Sequence, residues 1–203
     1  MKALILIDLQ YDFLPNGSLA VDRSDEILPI INNIQLKFDH IIATRDWHPA
    51  NHKSFASNHN GKKPGDIIEL QGLQQVLWPD HCVQGSPGAE ITANINQAKI
   101  DYIIYKGTNT EIDSYSAFFD NGRLKQTELD SYLKRNGIST IYVAGLTTDY
   151  CVYFTVLDGL SLGYNVFVIE DACRAVNLNP GDSEKALKDM KEKGAKIIQS
   201  SEL

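Results

Sequence analysis

The chain has 203 residues, 43% apolar and 22% charged, which is enough for one globular domain with a substantial core. A formal net charge of −7 argues against nucleic acid or an anionic membrane as a partner, and we find no apolar stretch of membrane-spanning length. Three cysteines without CxxC spacing argue against a disulfide framework, so we expect a single cytoplasmic domain over residues 1–203.

Short apolar runs, which are typical of buried strands, recur along the whole chain. They are Ala3–Ile7, Ile41–Thr44, Tyr102–Tyr105, Ile141–Ala144, Val166–Ile169 and Lys196–Ile198. Helical patterns lie between them, at Ser24–Phe38, Leu129–Arg135, Asp149–Leu162 and Glu184–Lys193. This alternation predicts an α/β fold with three αβα layers, in which helices cover both faces of a mostly parallel six-stranded sheet.

One long stretch, Trp47–Gln97, has no regular pattern and is rich in Gly, Pro, Asn and His. Irregular segments of this length within a compact domain are usually functional or disordered. Four of the five histidines fall in this stretch. We therefore expect it to contribute to a functional site.

Four chemically useful side chains come just after predicted strands, namely Asp8, Asp46, Lys106 and Cys151. Parallel sheets bind ligands beyond the carboxyl ends of their strands. Each residue alone has a simpler explanation: Asp8 could cap a turn, and Lys106 could be the first solvated residue after a strand. Together, two acids, a base and a thiol predict a hydrolytic or transferase site.

Cys151 lies where a predicted strand passes into a predicted helix. In the first helical turn, unpaired backbone N–H groups and the helix dipole favour the thiolate. The same N–H groups can receive the negative oxygen of a tetrahedral intermediate. The alternative interpretation is that Cys151 is a small buried apolar residue.

Asp46 and His48 are two residues apart, so in extended backbone both side chains project to the same side. His81, in a Pro-stiffened turn, offers a second imidazole. A carboxylate and two imidazoles are typical ligands of a catalytic divalent metal. His52 and His59 are equally well explained as ligands or as surface and supporting residues.

Three aromatic residues, Phe13, Trp78 and Tyr115, flank these polar groups along the chain. Near the polar strand ends, they would wall a flat and largely apolar pocket. The alternative is that they only fill the core.

Five segments carry a joint signal that is more specific than any single motif. They are Ile7–Phe13, Thr44–His52, Trp78–Gln84, Lys106-Gly107 and Gly145–Val152. In this order, they resemble the isochorismatase-like cysteine hydrolases, and within them the nicotinamidase/pyrazinamidase branch. The resemblance covers most of the chain.

The resemblance implies a catalytic triad of Asp8, Lys106 and Cys151, with Cys151 as the nucleophile. It also implies a non-proline cis peptide bond between Leu146 and Thr147. The backbone N–H groups of Thr147 and Cys151 would then form the oxyanion hole.

The metal ligands implied by the resemblance are Asp46, His48 and His81. Some family members use a further histidine at a different spacing from the one His52 has here, so His52 is left out of the ligand set. We expect one divalent metal, zinc, although iron and manganese also fit two imidazoles and a carboxylate.

The activity implied by the resemblance is hydrolysis of nicotinamide to nicotinic acid and ammonia through a thioester, and also hydrolysis of pyrazinamide. The implied partner is this small molecule, and a homo-oligomer is compatible with the sequence. One alternative is a small-amide or ureido hydrolase of the same fold, although those relatives generally lack the full metal set. The other is a metal-containing, redox-sensing binding module, which has no need of Asp8 and Lys106 beside the thiol.

Overall fold

A computed structural model describes residues 1–203. Eight strands are present: β1 (Lys2–Ile7), β2 (Ile41–Asp46), β3 (Ile67–Leu70), β4 (Leu73–Val76), β5 (Tyr102–Lys106), β6 (Thr140–Leu146), β7 (Asn165–Arg174) and β8 (Lys196–Ile198). The α-helices are α1 (Ile27–Ile34), α2 (Leu129–Arg135), α3 (Tyr153–Ser161) and α4 (Asp182–Glu192). None of the helices is long and apolar enough to cross a membrane.

Six of the strands form one parallel sheet in the order β5-β2-β1-β6-β7-β8. Strand β1 is central and buried from Ala3 to Ile7, as its continuous apolar run requires. Its odd-numbered residues pack in a core cluster with residues of α2, α3 and α4, while Leu4 and Leu6 pack with residues of α1. The predicted three-layer αβα architecture is therefore confirmed.

The predicted helix over Ser24–Phe38 is only partly α-helical. Its central part is α1, and 3-10 turns precede it at Ser24–Glu26 and follow it at Gln35–Lys37. Pro29 has no N–H group to donate to the carbonyl oxygen of Asp25. Regular α-helical hydrogen bonding therefore does not continue from α1 into the residues before it.

The irregular stretch after Trp47 contains the hairpin β3–β4, which the sequence analysis missed. Its two-residue loop has Gln71 at φ 53 and Gly72 at φ 77, a combination typical of a tight hairpin turn. The two strands are short, and most of their side chains are exposed or half-buried. Their sequences therefore lack the continuous apolar run that identified the buried strands.

Candidate active site

Four neighbouring strands, in the order β5-β2-β1-β6, bring the predicted catalytic groups to one edge of the sheet. Asp8 follows β1 directly, while Asp46 and Lys106 end β2 and β5 and are paired in the strand register. Cys151 lies in the turn after β6. Each of these four residues is at most 6% exposed, so the cluster is shielded from bulk water.

Lys106 lies at the centre of this cluster. Its Nζ is 2.8 Å from Asp8 Oδ2 and 2.7 Å from Asp46 Oδ1. It also donates to the Ser114 carbonyl oxygen at 3.2 Å and to Cys151 Sγ at 3.4 Å. Burial alone would lower the pKa of Lys106, but the two carboxylates outweigh burial and hold that pKa well above its usual range. Lys106 is therefore a cation at neutral pH.

The two carboxyl groups beside Lys106 have opposite pKa shifts. Burial works to raise the pKa of Asp46, but Lys106 and His48 outweigh burial and hold the pKa well below its usual range. Burial raises the pKa of Asp8, and Lys106 opposes this only in part. Asp46 is thus suited to remain an anion, while Asp8 is suited to take up and release a proton.

Asp8 has one oxygen occupied and one available. Its Oδ1 accepts a hydrogen bond from Thr44 Oγ1 at 2.5 Å. Its Oδ2 pairs with Lys106 by charge but makes no aligned hydrogen bond. A carboxylate oxygen of Asp8 lies within 4.8 Å of Cys151 Sγ. Asp8 can therefore accept the thiol proton of Cys151.

Cys151 lies in a single π-helical turn, Thr148–Val152, rather than in the first turn of an α-helix as predicted. The N–H of Val152 donates to the Thr147 carbonyl oxygen at 3.0 Å, an i→i+5 bond of the kind that defines this turn. The expected thiolate is also not favoured, since burial raises the pKa of Cys151 well above its usual range despite the opposing charge of Lys106. The thiol therefore needs a neighbouring base.

The chain between β6 and this turn passes close to β1. Gly145 has φ 124, and a Cβ there would lie 2.2 Å from the Ile7 carbonyl oxygen, so only glycine fits. Just after Gly145, the peptide bond between Leu146 and Thr147 is cis, as the resemblance implies. Thr147 and Cys151, the proposed oxyanion-hole residues, both line one pocket.

The three predicted metal ligands converge. His48 Nε2 and His81 Nε2 lie 3.3 Å and 3.6 Å from Asp46 Oδ2. The other ring nitrogen, Nδ1, lies 2.9 Å from the Gly107 carbonyl oxygen in His48 and 2.8 Å from the Pro79 carbonyl oxygen in His81. A carbonyl oxygen only accepts, so both Nδ1 atoms carry a proton and both Nε2 atoms, which can ligate a metal once deprotonated, face Asp46. His48 Nε2 is buried without a hydrogen-bond partner. This donor set fits a divalent metal.

His52 is buried beside this cluster, but its ring carries the proton on Nε2 rather than on Nδ1. The backbone N–H of Ser54 donates to His52 Nδ1 at 3.2 Å, so Nδ1 is the acceptor of the neutral ring. The proton is therefore on Nε2, which has no hydrogen-bond partner. One ring nitrogen of His52 lies within 4.8 Å of the ligand atoms of His48 and Asp113. In this tautomer Nε2–H is a donor and offers no lone pair to a metal, so His52 stays outside the proposed ligand set.

The three predicted aromatic wall residues all line the pocket above Cys151. Tyr115 is fixed by two donors to its hydroxyl oxygen, Trp78 Nε1 at 3.1 Å and Gln75 Nε2 at 2.9 Å. Phe13 packs edge-on against His81, with ring centroids 5.5 Å apart. These contacts hold flat apolar surfaces beside the polar cluster, as a planar aromatic substrate requires.

Several lining residues were missed by the sequence analysis: Leu19, Asp113, Tyr150 and Val176. Tyr150 directly precedes Cys151 and packs edge-on against Trp78, so its position next to the nucleophile was an available signal. Leu19 and Val176 lie in loops without a periodic pattern, and only the folded chain brings them to the pocket.

Gln10 was also missed, although it lies within a segment that carries the resemblance. Its side chain is fully buried and hydrogen-bonds to both the N–H and the carbonyl oxygen of Asp46, each at 2.8 Å. A third bond, at 2.8 Å, joins Gln10 Nε2 to the Ala89 carbonyl oxygen. Gln10 therefore fixes the backbone of Asp46, the carboxylate among the three predicted metal ligands.

Comparisons with known proteins agree with this geometry. A nicotinamidase of Escherichia coli (strain K12) is 49% identical over 200 residues, which cover 97% of this chain and 93% of the relative. A solved structure of the Acinetobacter baumanii nicotinamidase/pyrazinamidase superposes with a TM-score of 0.96 at 46% identity, covering 99% of this chain and 97% of that one.

A pyrazinamidase of Pyrococcus horikoshii, solved in complex with zinc, has a TM-score of 0.79 at 38% identity, with 98% of each chain covered. The family model described as the isochorismatase domain matches residues 2–202, nearly the full length. This chain is therefore a member of the isochorismatase family.

Proposed function

We propose that this protein is a nicotinamidase, which hydrolyses nicotinamide to nicotinic acid and ammonia. The observation that carries the proposal is the cluster around Lys106, whose Nζ lies within 3.4 Å of Asp8, Asp46 and Cys151. This cluster opens into a pocket walled by aromatic rings. The relatives named nicotinamidases at 49% and 47% identity support the same substrate.

In the first half of the reaction, Asp8 takes the proton of the Cys151 thiol, and Sγ attacks the carboxamide carbon. The carbonyl oxygen becomes an oxyanion that the N–H groups of Thr147 and Cys151 receive; loss of one such donor typically costs about 3 kcal/mol of barrier. The C–N bond then breaks, Asp8 gives its proton to the leaving nitrogen, and ammonia departs from the thioester.

In the second half, Asp8 acts as a base again and takes a proton from a water molecule that attacks the thioester carbon. The C–S bond breaks, the carboxylic acid is released, and the sulfur regains its proton. Lys106 keeps its charge throughout, stabilises the thiolate and holds Asp8 in place.

Asp46, His48 and His81 would hold a divalent metal, for which we propose zinc; the zinc-bound Pyrococcus pyrazinamidase supports this choice. When bound, the ion supplies a template that orients the substrate beside the nucleophile. Phe13, Trp78 and Tyr115 would bind the ring on its flat faces.

Several further expectations belong to this proposal. Pyrazinamide, a similar ring carboxamide, would also be a substrate, as the name of the Acinetobacter protein suggests for that relative. We expect a single domain over residues 1–203 in the cytoplasm, and a homo-oligomer remains compatible with it.

The test is a coupled assay of ammonia release on nicotinamide, pyrazinamide and a set of ureido amides, with the metal content measured in parallel. We expect release from the two ring amides, and loss of release in Cys151→Ala with an unchanged circular dichroism spectrum. A Cys82→Ala variant is the matched control, since Cys82 is a buried thiol outside the pocket. Turnover in Cys151→Ala, or activity confined to ureido amides, would contradict the proposal.

A further inference from the structure

The pocket above Cys151 has two aliphatic residues among its aromatic and polar lining, Leu19 and Val176. Both are half-buried, whereas Phe13 and Trp78 beside them are buried. The aliphatic pair therefore lies toward the solvent side of the pocket. Side chains in such positions limit the size of the ligand that can enter.

Val176 is held in place by Asp149. The Asp149 carboxylate accepts the N–H of Val176 through Oδ1 at 3.0 Å and the N–H of Asn177 through Oδ2 at 2.7 Å. Asp149 lies in the same π-helical turn as Cys151. The nucleophile and the Val176 segment are thereby joined by two hydrogen bonds to one carboxylate, a strong acceptor.

The segment is also fixed on its other side. Asn177 has φ 51, in the left-handed region, and its Oδ1 accepts the N–H of Ser183 in the first turn of α4 at 2.9 Å. The N–H of Val176 is bound to Asp149, and the next residue, Asn177, is held by both Asp149 and Ser183. The Val176 backbone therefore has little freedom to move away from the pocket.

We infer that Asp149 is a positioning residue for substrate size: it holds Val176 against the pocket, and Val176 excludes heteroaromatic amides with a fused second ring. This inference rests on the proposed function, because it concerns the substrate of the same site. Nicotinamide, which has one unsubstituted ring, is admitted. Quinoline-3-carboxamide, in which a second ring is fused to the same pyridine carboxamide, is excluded.

The experiment compares kcat and KM for nicotinamide, 5-methylnicotinamide and quinoline-3-carboxamide in the metal-loaded enzyme. We expect Val176→Ala to raise kcat/KM for quinoline-3-carboxamide relative to nicotinamide by about tenfold or more, mainly through KM. Asp149→Asn, which removes one acceptor, should shift the ratio in the same direction. Val176→Ile, which enlarges the side chain, should lower kcat/KM for 5-methylnicotinamide relative to that for nicotinamide.

The double variant Asp149→Asn/Val176→Ala should show no larger change in selectivity than Val176→Ala alone, because Asp149 acts through Val176. Asp171→Asn is the matched control. The Asp171 carboxylate also accepts a backbone N–H, from Ser200 at 2.8 Å, but lies outside the pocket lining, so the selectivity ratio should stay unchanged.

An unchanged ratio in Val176→Ala would overturn the inference. A loss of kcat in Asp149→Asn on all three amides alike, without a change in selectivity, would also overturn it, since Asp149 would then act on the Cys151 turn. Both outcomes leave nicotinamide hydrolysis by the unaltered enzyme intact. Failure of that hydrolysis would instead reject the proposed function, and the inference with it.

Discussion

At the scale of single residues, backbone partners decide what each histidine of the site can do. His48 and His81 each donate from Nδ1 to a carbonyl oxygen, and His52 accepts at Nδ1 from an N–H group. The first arrangement leaves Nε2 as a metal ligand, and the second leaves Nε2 as a donor. Spacing along the chain does not reveal these partners, so the residues alone left His52 open, and only the family resemblance set it apart from His48.

Substitution of the histidines should therefore affect the bound metal differently. We expect His48→Gln to reduce zinc affinity by about 10-fold to 100-fold or more, because one of the three protein ligands is lost. His52→Gln should retain a full equivalent of metal. Elemental analysis and calorimetric titration of both purified variants provide the measurement. Equal loss of zinc in the two variants would contradict the assigned state of His52.

The proposed catalytic residues were predictable because each comes just after an apolar run, and the carboxyl ends of parallel strands lie at one edge of a sheet. Asp8, Lys106 and Cys151 all lie in the cluster that this placement predicts. The pKa of Cys151 could not be predicted in this way. Its direction depends on complete burial and on the charges around the sulfur, which only the packed structure contains.

At the scale of elements, the short connection after β5 shapes the proposed metal site. Gly107 has φ 64, and a Cβ there would lie 2.3 Å from His48 Cε1 and 2.6 Å from His48 Nδ1. The same glycine provides the carbonyl oxygen that receives the Nδ1 proton of His48. Gly107 therefore both makes room for the ring and orients it.

Gly107→Ala should displace the His48 ring and weaken metal binding, with activity falling in parallel. Gly163→Ala is the matched control: Gly163 has φ 88, but nothing lies within 4 Å of its Cβ position. Both changes place alanine in the left-handed backbone region, which costs about 1 kcal/mol or more in strain. Thermal melting should show a loss of stability in both variants. Metal titration should show a loss of zinc binding only in Gly107→Ala. Normal zinc affinity in Gly107→Ala would contradict this role.

The turn after β6 shows where sequence periodicity reaches its limit. The apolar spacing from Asp149 to Leu162 predicts one continuous helix, whereas the structure has a π-turn followed by α3. A single wider turn changes the hydrogen-bond partners without changing which residues are apolar. Periodicity therefore identifies the helix but not the turn that holds Cys151.

At the scale of the whole molecule, the order of the strands in the sheet could not be predicted from the sequence. Alternating apolar and amphipathic segments predicted the layers and the parallel sheet, and both are confirmed. The adjacency of β5, β2, β1 and β6 depends on packing between segments far apart in the chain. That adjacency is what unites Lys106, Asp46 and Asp8 in one cluster.

The proposed metal ligands form one site only in the folded chain, where His81 lies beside Asp46 and His48, so metal binding should stabilise the fold. A ligand at 100 times its dissociation constant adds about 2.7 kcal/mol to the free energy of unfolding, or a Tm increase of roughly 5–10 °C for a chain of this size. Scanning calorimetry with zinc and after chelation provides the measurement. His48→Gln should show no such difference, and an equal shift in that variant would mean that zinc acts elsewhere.

The ion cluster at Lys106 has a consequence for release of the product. Counted formally, two carboxylates and one ammonium leave this cavity with an excess negative charge. A doubly charged cation on Asp46 would reverse that sign. The cavity would then attract the anionic acid more strongly than the neutral amide from which it is made. We therefore expect departure of the acid, more than entry of the amide, to limit the rate of turnover.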